Sequence, residues 1–426
     1  MGKRQETTIQ IIVLLAKKLV LFFVILELML SEIKSKVIID PGTSGTKAIV
    51  EYLKDEFPFE RVEKYFLIEP SVRQLTEATY RHLLDGAGES VGLGSNLVSY
   101  LDPKDGNRVY FEVGETAVRL GLITVSDRKF EKLLAKVLVF LGYLVRCELQ
   151  TTEQVHVELG ILLPFDEYED RRLLAPWLKQ ILGTVEDEST VGFEFNGDRL
   201  TNIRLKTIEF KPEGYGIYQA HPSERVAVLV VGHSDSSWLY FNNGKLITER
   251  SRTFPGTGMH DFITTLQFPI TYELKAAEFL AKAGKNLNPD ILCHLTQTKS
   301  PSEIGLLQQA IKEAKHQYWV DRRSQFSSLD LSGLSCILTT GGTANFFSTE
   351  LDGLFQELFG IRLHWCKSLM LEFFERFKME RKSDLLHRFA DCYGYYKGLS
   401  GVKATQSKTL EATKGGKNAK AVSSKN

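Results

Sequence analysis

Directly after the β-branched run Val37-Ile38-Ile39 comes Asp40-Pro41-Gly42-Thr43-Ser44-Gly45-Thr46-Lys47, an acid, two glycines, three hydroxyls and a lysine in one short bend. These residue types suit a phosphate chain. Gly42 and Gly45 let backbone N–H groups come close to an anion. Thr43, Ser44 and Thr46 add hydroxyl donors, and Lys47 offsets phosphate charge. Asp40, at the end of a strand, can hold a divalent cation through water, since hard cations prefer oxygen ligands. The bend is not a Walker A loop, because GxxxxGK[ST] does not occur here. The plain alternative is a glycine-rich hairpin turn.

Two strands must carry this bend, and the pattern predicts them at 36–40 and at about 47–52. A further strand is expected near Phe66–Ile68, and glycine-rich residues 85–95 read as a loop. NLVSYLD and RVYFEVG bracket a Pro-Lys-Asp-Gly turn as a hairpin. Apolar spacing of three and four over 129–145 predicts a helix. Residues 155–164 read as a strand with a buried end, 166–181 as a helix, and the stretch around Asn196-Gly197 as a hairpin. From 225 to 247 the order strand, polar turn, strand, Asn-Gly turn repeats the outline of 36–52. Helices follow at about 257–266, 272–284 and 303–323. Then come a buried strand, the pair Gly341-Gly342 and a helix within 335–355, and helices at 369–378 and 385–399. Two similar openings, each followed by helices, predict an α/β protein of two duplicated lobes around a cleft, with lobes at 33–222 and 223–400.

The bend resembles the first phosphate hairpin of the actin superfamily, which also holds sugar kinases and the ATPase domain of heat-shock chaperones. Acid, glycine, serine, glycine and lysine fall at the actin spacing. ILLPFDEYEDR (161–171) is similar to the LPxxEYxDR stretch of ParM-type plasmid-segregation actins. IEFKPEGYGIY (208–218) resembles the proline–glutamate segment before their second lobe, and ILTTGGTANFF (337–347) resembles their adenosine motif. The matches run in order from about 36 to 347. The resemblance implies ribonuclease-H-like lobes around a nucleotide cleft, ATP and Mg²⁺ as ligands, and self-association into filaments in the cytoplasm that move plasmid DNA through an adaptor. It implies that Asp40 holds the metal through water, and that Gly42, Thr43, Ser44, Gly45 and Lys47 contact the β- and γ-phosphates. Glu167 is implied as the base that positions the attacking water; Asp166 and Glu167 equally suit a helix start. Gly341, Gly342 and Thr343 would lie against adenine and ribose.

The second phosphate motif departs from the pattern. Where DLGGTT is expected, Gly232-His233-Ser234-Asp235-Ser236-Ser237 stands. Glycine takes the acid's place, and Asp235 comes three residues later. Ser234, Asp235 and Ser236 remain as phosphate or metal contacts. The loss of such an acid typically costs about 10–100-fold in metal affinity or activity. Either hydrolysis is slow but real, or the protein is a nucleotide-binding switch or scaffold that hydrolyses little. A small-molecule kinase on the same fold is a third reading, without a sugar-binding motif to support it. Gly256-Thr257-Gly258 leads into a helix whose start would face phosphate or ribose, or would simply be capped by Thr257.

The chain of 426 residues carries no formal net charge, so no global pull toward nucleic acid or an acidic membrane follows. Its five cysteines are scattered, without a CxxC or Cys/His ladder, which argues against a zinc site or a disulfide framework. Residues 1–32 form an apolar extension: 11–30 are apolar except Lys17, Lys18 and Glu27. They read as a membrane or interfacial anchor, a packed helix, or a segment upstream of a fold that starts near Met29. Residues 401–426 are lysine-rich and low in apolar content, and are expected to form a disordered basic tail.

Overall fold

The computed structural model describes residues 17–18, 32–53, 60–86, 95–115, 117, 129–187, 189–270, 273–379 and 385–400. Apart from Lys17 and Lys18, the apolar extension expected over 11–30 lies outside them, as do the basic tail and most of the glycine-rich loop at 85–95. Among the described residues, no helix is long and apolar enough to cross a membrane.

The strands in chain order begin with β1 (Glu32–Asp40), β2 (Thr46–Leu53) and β3 (Arg61–Ile68), followed by β4 (Val72–Leu75), β5 (Ser95–Leu101) and β6 (Arg108–Gly114). β7 (Gln154–Leu163), β8 (Phe193–Phe195), β9 (Asp198–Leu200) and β10 (Ile203–Pro212) complete the first half. β11 (Arg225–Val231), β12 (Asp235–Asn242), β13 (Lys245–Leu246), β14 (Arg252–Pro255) and β15 (Cys336–Thr340) make the second.

The first sheet runs β10-β7-β1-β2-β3. β1 pairs antiparallel with β2 and parallel with β7, which is parallel to β10. Val37, Ile38 and Ile39 are fully buried, as a near-continuous β-branched run in a sheet covered on both faces should be. Parallel neighbours need long crossovers. Here helices supply them: Lys129–Tyr143 leads to β7 through a π-helical turn, and Arg171–Leu182 lies between β7 and β8. Residues 133–141 of Lys129–Tyr143 are all buried, Lys136 included, and Val137, Leu138 and Phe140 are fully so. The predicted helix over 166–181 is in fact a 3₁₀ turn, Phe165–Asp170, followed by the α-helix. A separate sheet, β4-β6-β5-β8-β9, is inserted into this half.

The second sheet repeats the order. β11 pairs antiparallel with β12 and parallel with β15, and β13 and β14 both border β12. Beyond β15 a single parallel bridge, Leu338 with His364, stands where β10 stands in the first sheet.

Between the two sheets lies a shared core. Ile38, Ile49 and Leu162 of the first sheet and Val226, Val228 and Leu338 of the second belong to one apolar cluster with helices Tyr215–Ala220, Lys367–Arg376 and Leu385–Ser400. The helices Tyr215–Ala220 and Leu385–Ser400 cross at two glycines. A methyl at Gly216 would sit 1.9 Å from the Asp391 carbonyl oxygen, and one at Gly394 would sit 2.2 Å from the Gly216 carbonyl oxygen. Only glycine permits backbones this close.

Candidate functional site

A cleft of about 1450 Å³ opens between the two sheets. The parallel strands β1, β7 and β10 point their carboxyl ends at it, the place where open α/β sheets take ligands. Asp40 ends β1, and Glu213 directly follows β10, its N–H donating to the carbonyl of Leu163 at the end of β7 (2.6 Å). Both acids line the cleft.

Asp40 is 5% exposed and Lys47 is 9% exposed. They face each other in the register of β1 and β2 and form a buried ion pair through Asp40 Oδ2. Asp40 Oδ1 is buried and has no hydrogen-bond partner among the described atoms. An unsatisfied buried carboxylate oxygen is costly unless something else meets it. A hydrated divalent cation would do so, and Asp40 therefore fits the metal-holding role. Gly42, Thr43 and Ser44 also line the cleft. The Gly45 N–H turns back toward the Gly42 carbonyl at 3.4 Å, which folds residues 41–46 into a compact loop. From behind, buried Lys136 donates to the Pro41 carbonyl at 3.1 Å.

Gly341, Gly342 and Thr343 line the opposite part of the cleft. Gly341 has φ +112°, and a methyl there would lie 2.2 Å from the Val231 carbonyl oxygen. The turn from β15 into helix Gly342–Phe346 thus needs glycine both for its backbone and for its closeness to β11.

The second hairpin is much tighter than the first. The Gly232 N–H donates to the Asp235 carbonyl at 2.8 Å, so only His233 and Ser234 intervene, against residues 41–46 in the first hairpin. Gly232 stands where Asp40 stands, and Asp235 where Lys47 stands. Of this turn, Gly232 and His233 line the cleft; Ser234, Asp235 and Ser236 are not among the lining residues. Ser236 is buried and its hydroxyl donates to the Thr257 carbonyl at 3.3 Å. The Ser234 hydroxyl meets that of Thr43 at 3.2 Å. Thr257 does not cap the following helix: its hydroxyl donates back to the Phe254 carbonyl at 2.6 Å, and Gly258 holds the cap position.

Glu167 does not line the cleft. It sits in the 3₁₀ turn after β7, 9% exposed, with its N–H donating to the Pro164 carbonyl at 3.1 Å. The neighbouring Asp166 instead accepts from the Thr253 hydroxyl of β14 at 3.3 Å. Glu213, from the quoted segment IEFKPEGYGIY, is among the carboxylates that line the cleft.

Further acids that the sequence reading did not single out line the cleft, Glu69, Glu115, Glu278 and Asp391 among them. Asp391, in helix Leu385–Ser400, lines the cleft and accepts hydrogen bonds from the N–H groups of Gly214 (2.6 Å) and Ile217 (3.1 Å). Burial pushes its carboxyl up to about 7, and the nearby Asp40 charge adds to this; the Gly214 hydrogen bond works against it. The signal was a lone acid inside the apolar run Phe389-Ala390-Asp391-Cys392-Tyr393. One turn earlier, burial holds the His387 imidazole down at about 4, so it is neutral near pH 7.

Two sheets of matching strand order each send a hairpin loop to the cleft between them. The solved structure of the actin-like protein Alp7A superposes on the chain with a TM-score of 0.53, covering 87% of this chain and 97% of that one at 13% identity. The chain has an actin-like fold. AlfA from B. subtilis plasmid pLS32, solved as a filament, matches at TM-score 0.45 and 13% identity, covering 85% of this chain and 98% of its own. The archaeal actin homolog Ta0583 matches at 0.46 and 14%, covering 86% and 99%. At those scores the assignment of the actin-like fold rests on Alp7A. No protein-family model matches the chain, and no curated protein matches its sequence.

Proposed function

We propose that this protein binds ATP with Mg²⁺ between its two actin-like lobes, hydrolyses it slowly, and self-associates into filaments in a nucleotide-dependent way. The observation that carries the reading is the buried Asp40–Lys47 pair, with one carboxylate oxygen unmet, at the base of a glycine loop that faces Gly341–Thr343 across the cleft. Asp40 and its water shell would hold the metal, which supplies charge neutralisation for the departing phosphate. Gly42 to Ser44 offer backbone and hydroxyl donors to the β- and γ-phosphates, and Lys47 offsets their charge. Gly341, Gly342 and Thr343 let adenine and ribose lie close to the chain. Glu213, which follows β10 and lines the cleft, is our candidate to accept a hydrogen bond from the attacking water, with Glu167 as the alternative.

Filament formation and a part in plasmid or other DNA segregation, with DNA met only through an adaptor, follow from the sequence resemblance to plasmid-segregation actins. Head-to-tail growth needs complementary surfaces at opposite ends of the molecule. The test is sedimentation with ATP, with ADP and without nucleotide, run beside phosphate release and an Asp40→Ala control. Pelleting that is equal in all three conditions would end the nucleotide-switch reading.

A second reading has its own support. The tight Gly232–Asp235 turn offers no acid in the place of Asp40 and too few residues to wrap a phosphate. In that version, nucleotide clamps the lobes together and is hydrolysed little. Tight ATP binding with phosphate release no faster than in the Asp40→Ala control selects it.

A further inference from the structure

Arg388 stands in the first turns of helix Leu385–Ser400 and lines the cleft. Its Nη2 donates to the Ser44 carbonyl oxygen at 2.8 Å. A methyl added at Gly45 would lie 2.6 Å from that same Nη2, and one at Gly342 would lie 3.1 Å from Arg388 Cγ. The side chain therefore runs from one glycine loop to the other. If base and ribose rest at Gly341–Thr343 and the terminal phosphates at Gly42–Ser44, the triphosphate follows the same line.

Two bonds fix the backbone on either side of this residue. The Thr340 hydroxyl donates to the His387 carbonyl at 3.3 Å, tying the helix start to the end of β15. Asp391, one turn on, is held by the N–H groups of Gly214 and Ile217. The guanidinium is thus delivered by a third element, independent of both hairpins. Its chemistry suits the place. Lys47, the cation of the first hairpin, is already paired with Asp40. An arginine fork can engage two phosphate oxygens at once. A phosphate oxygen also offers the guanidinium an opposite charge, which the neutral Ser44 carbonyl does not.

We propose that Arg388 is a phosphate-reading residue: it passes from the Ser44 carbonyl to the β- and γ-phosphates of a bound nucleoside triphosphate and sets the preference for triphosphate over shorter ligands. The inference rests on the nucleotide reading given above.

Titration calorimetry on the full chain tests it, with ATP–Mg²⁺, AMP and adenosine as probes and with wild type, Arg388→Ala and Arg388→Lys. The alanine variant should bind ATP at least about tenfold more weakly while its AMP and adenosine affinities change less than about twofold, and lysine should recover part of the ATP affinity. ATP affinity unchanged in Arg388→Ala, or equal weakening of ATP and adenosine, overturns the assignment and leaves Arg388 a packing residue. If the alanine variant does not fold, the same ATP-to-adenosine ratio measured on Arg388→Lys decides: a ratio equal to wild type counts against phosphate contact. A wild type that takes up neither ATP nor adenosine is a different result, and it removes the nucleotide reading itself.

Discussion

Thr43 and Ser234 bring their hydroxyl oxygens to 3.2 Å, so the tip of the first hairpin touches the tip of the second. The contact joins a long, glycine-containing loop to a tight turn. The two halves of the molecule therefore touch beside the loop that is proposed to hold the phosphates.

Asp40→Asn keeps the size of the side chain and removes its charge. ATP affinity should then lose most of its dependence on Mg²⁺, falling by about 10–100-fold at saturating metal. Calorimetry with and without the metal checks this, and an undiminished Mg²⁺ effect would remove Asp40 from the metal site.

Glu213→Gln and Glu167→Gln should part company. The first should slow phosphate release by about 10²–10⁴-fold with ATP affinity little changed, as expected for loss of a base. The second should hydrolyse within about twofold of wild type, because Glu167 does not line the cleft. The reverse pattern would restore Glu167 as the base.

Stability should depend on pH through Asp391. Its carboxyl titrates near 7 in the fold against 3.8 when free, so the folded state holds a proton that the unfolded state has released. The stabilisation is full below about pH 4 and is lost as pH rises through about 7. The slope reaches at most about 1.4 kcal/mol per pH unit, one proton's worth. In Asp391→Asn, denaturant melts between pH 4 and 7 should lose that slope; a slope identical to wild type would show that another group is responsible.

Gly394→Ala places a methyl 2.2 Å from the Gly216 carbonyl in a packed helix crossing. Overpacking of this kind typically costs about 1–3 kcal/mol, so thermal melting should shift down by several degrees. Gly353→Ala is the matched control: nothing lies within 4 Å of a methyl there, and that residue too is inside a helix. Equal melting of the two variants would mean that the crossing relaxes freely.

Much of this fold was legible from the residues. Val37-Ile38-Ile39 running into Asp40 fixed the first hairpin, and the repeat of strand, turn and strand at 225–247 fixed the second. The 16 residues of Leu385–Ser400 match the predicted final helix almost to the residue. The inserted sheet was only half visible, because β4 is four residues long and its pairing with β6 is tertiary. The site was read less well than the fold. That Glu213 lines the cleft while Glu167 does not needs the three-dimensional course of the chain after β10 and after β7, which local pattern does not give. Asp391 and Arg388 come from a helix far along the chain, and their approach to Asp40 and Ser44 is a matter of packing that local periodicity does not encode. The shortness of the second turn was likewise hidden, since His233-Ser234-Asp235 reads as an ordinary polar loop until the Gly232–Asp235 bond is seen.

The face of β1 and β2 that carries Ile38 and Ile49 is covered by helix Leu385–Ser400, from the far end of the described chain. During synthesis this sheet therefore emerges from the ribosome with one greasy side bare, and it stays bare until the second lobe has been translated. The first half is therefore expected to expose this apolar face until the second half packs on it. Truncation before residue 385 should for the same reason leave an aggregating protein rather than a smaller working one.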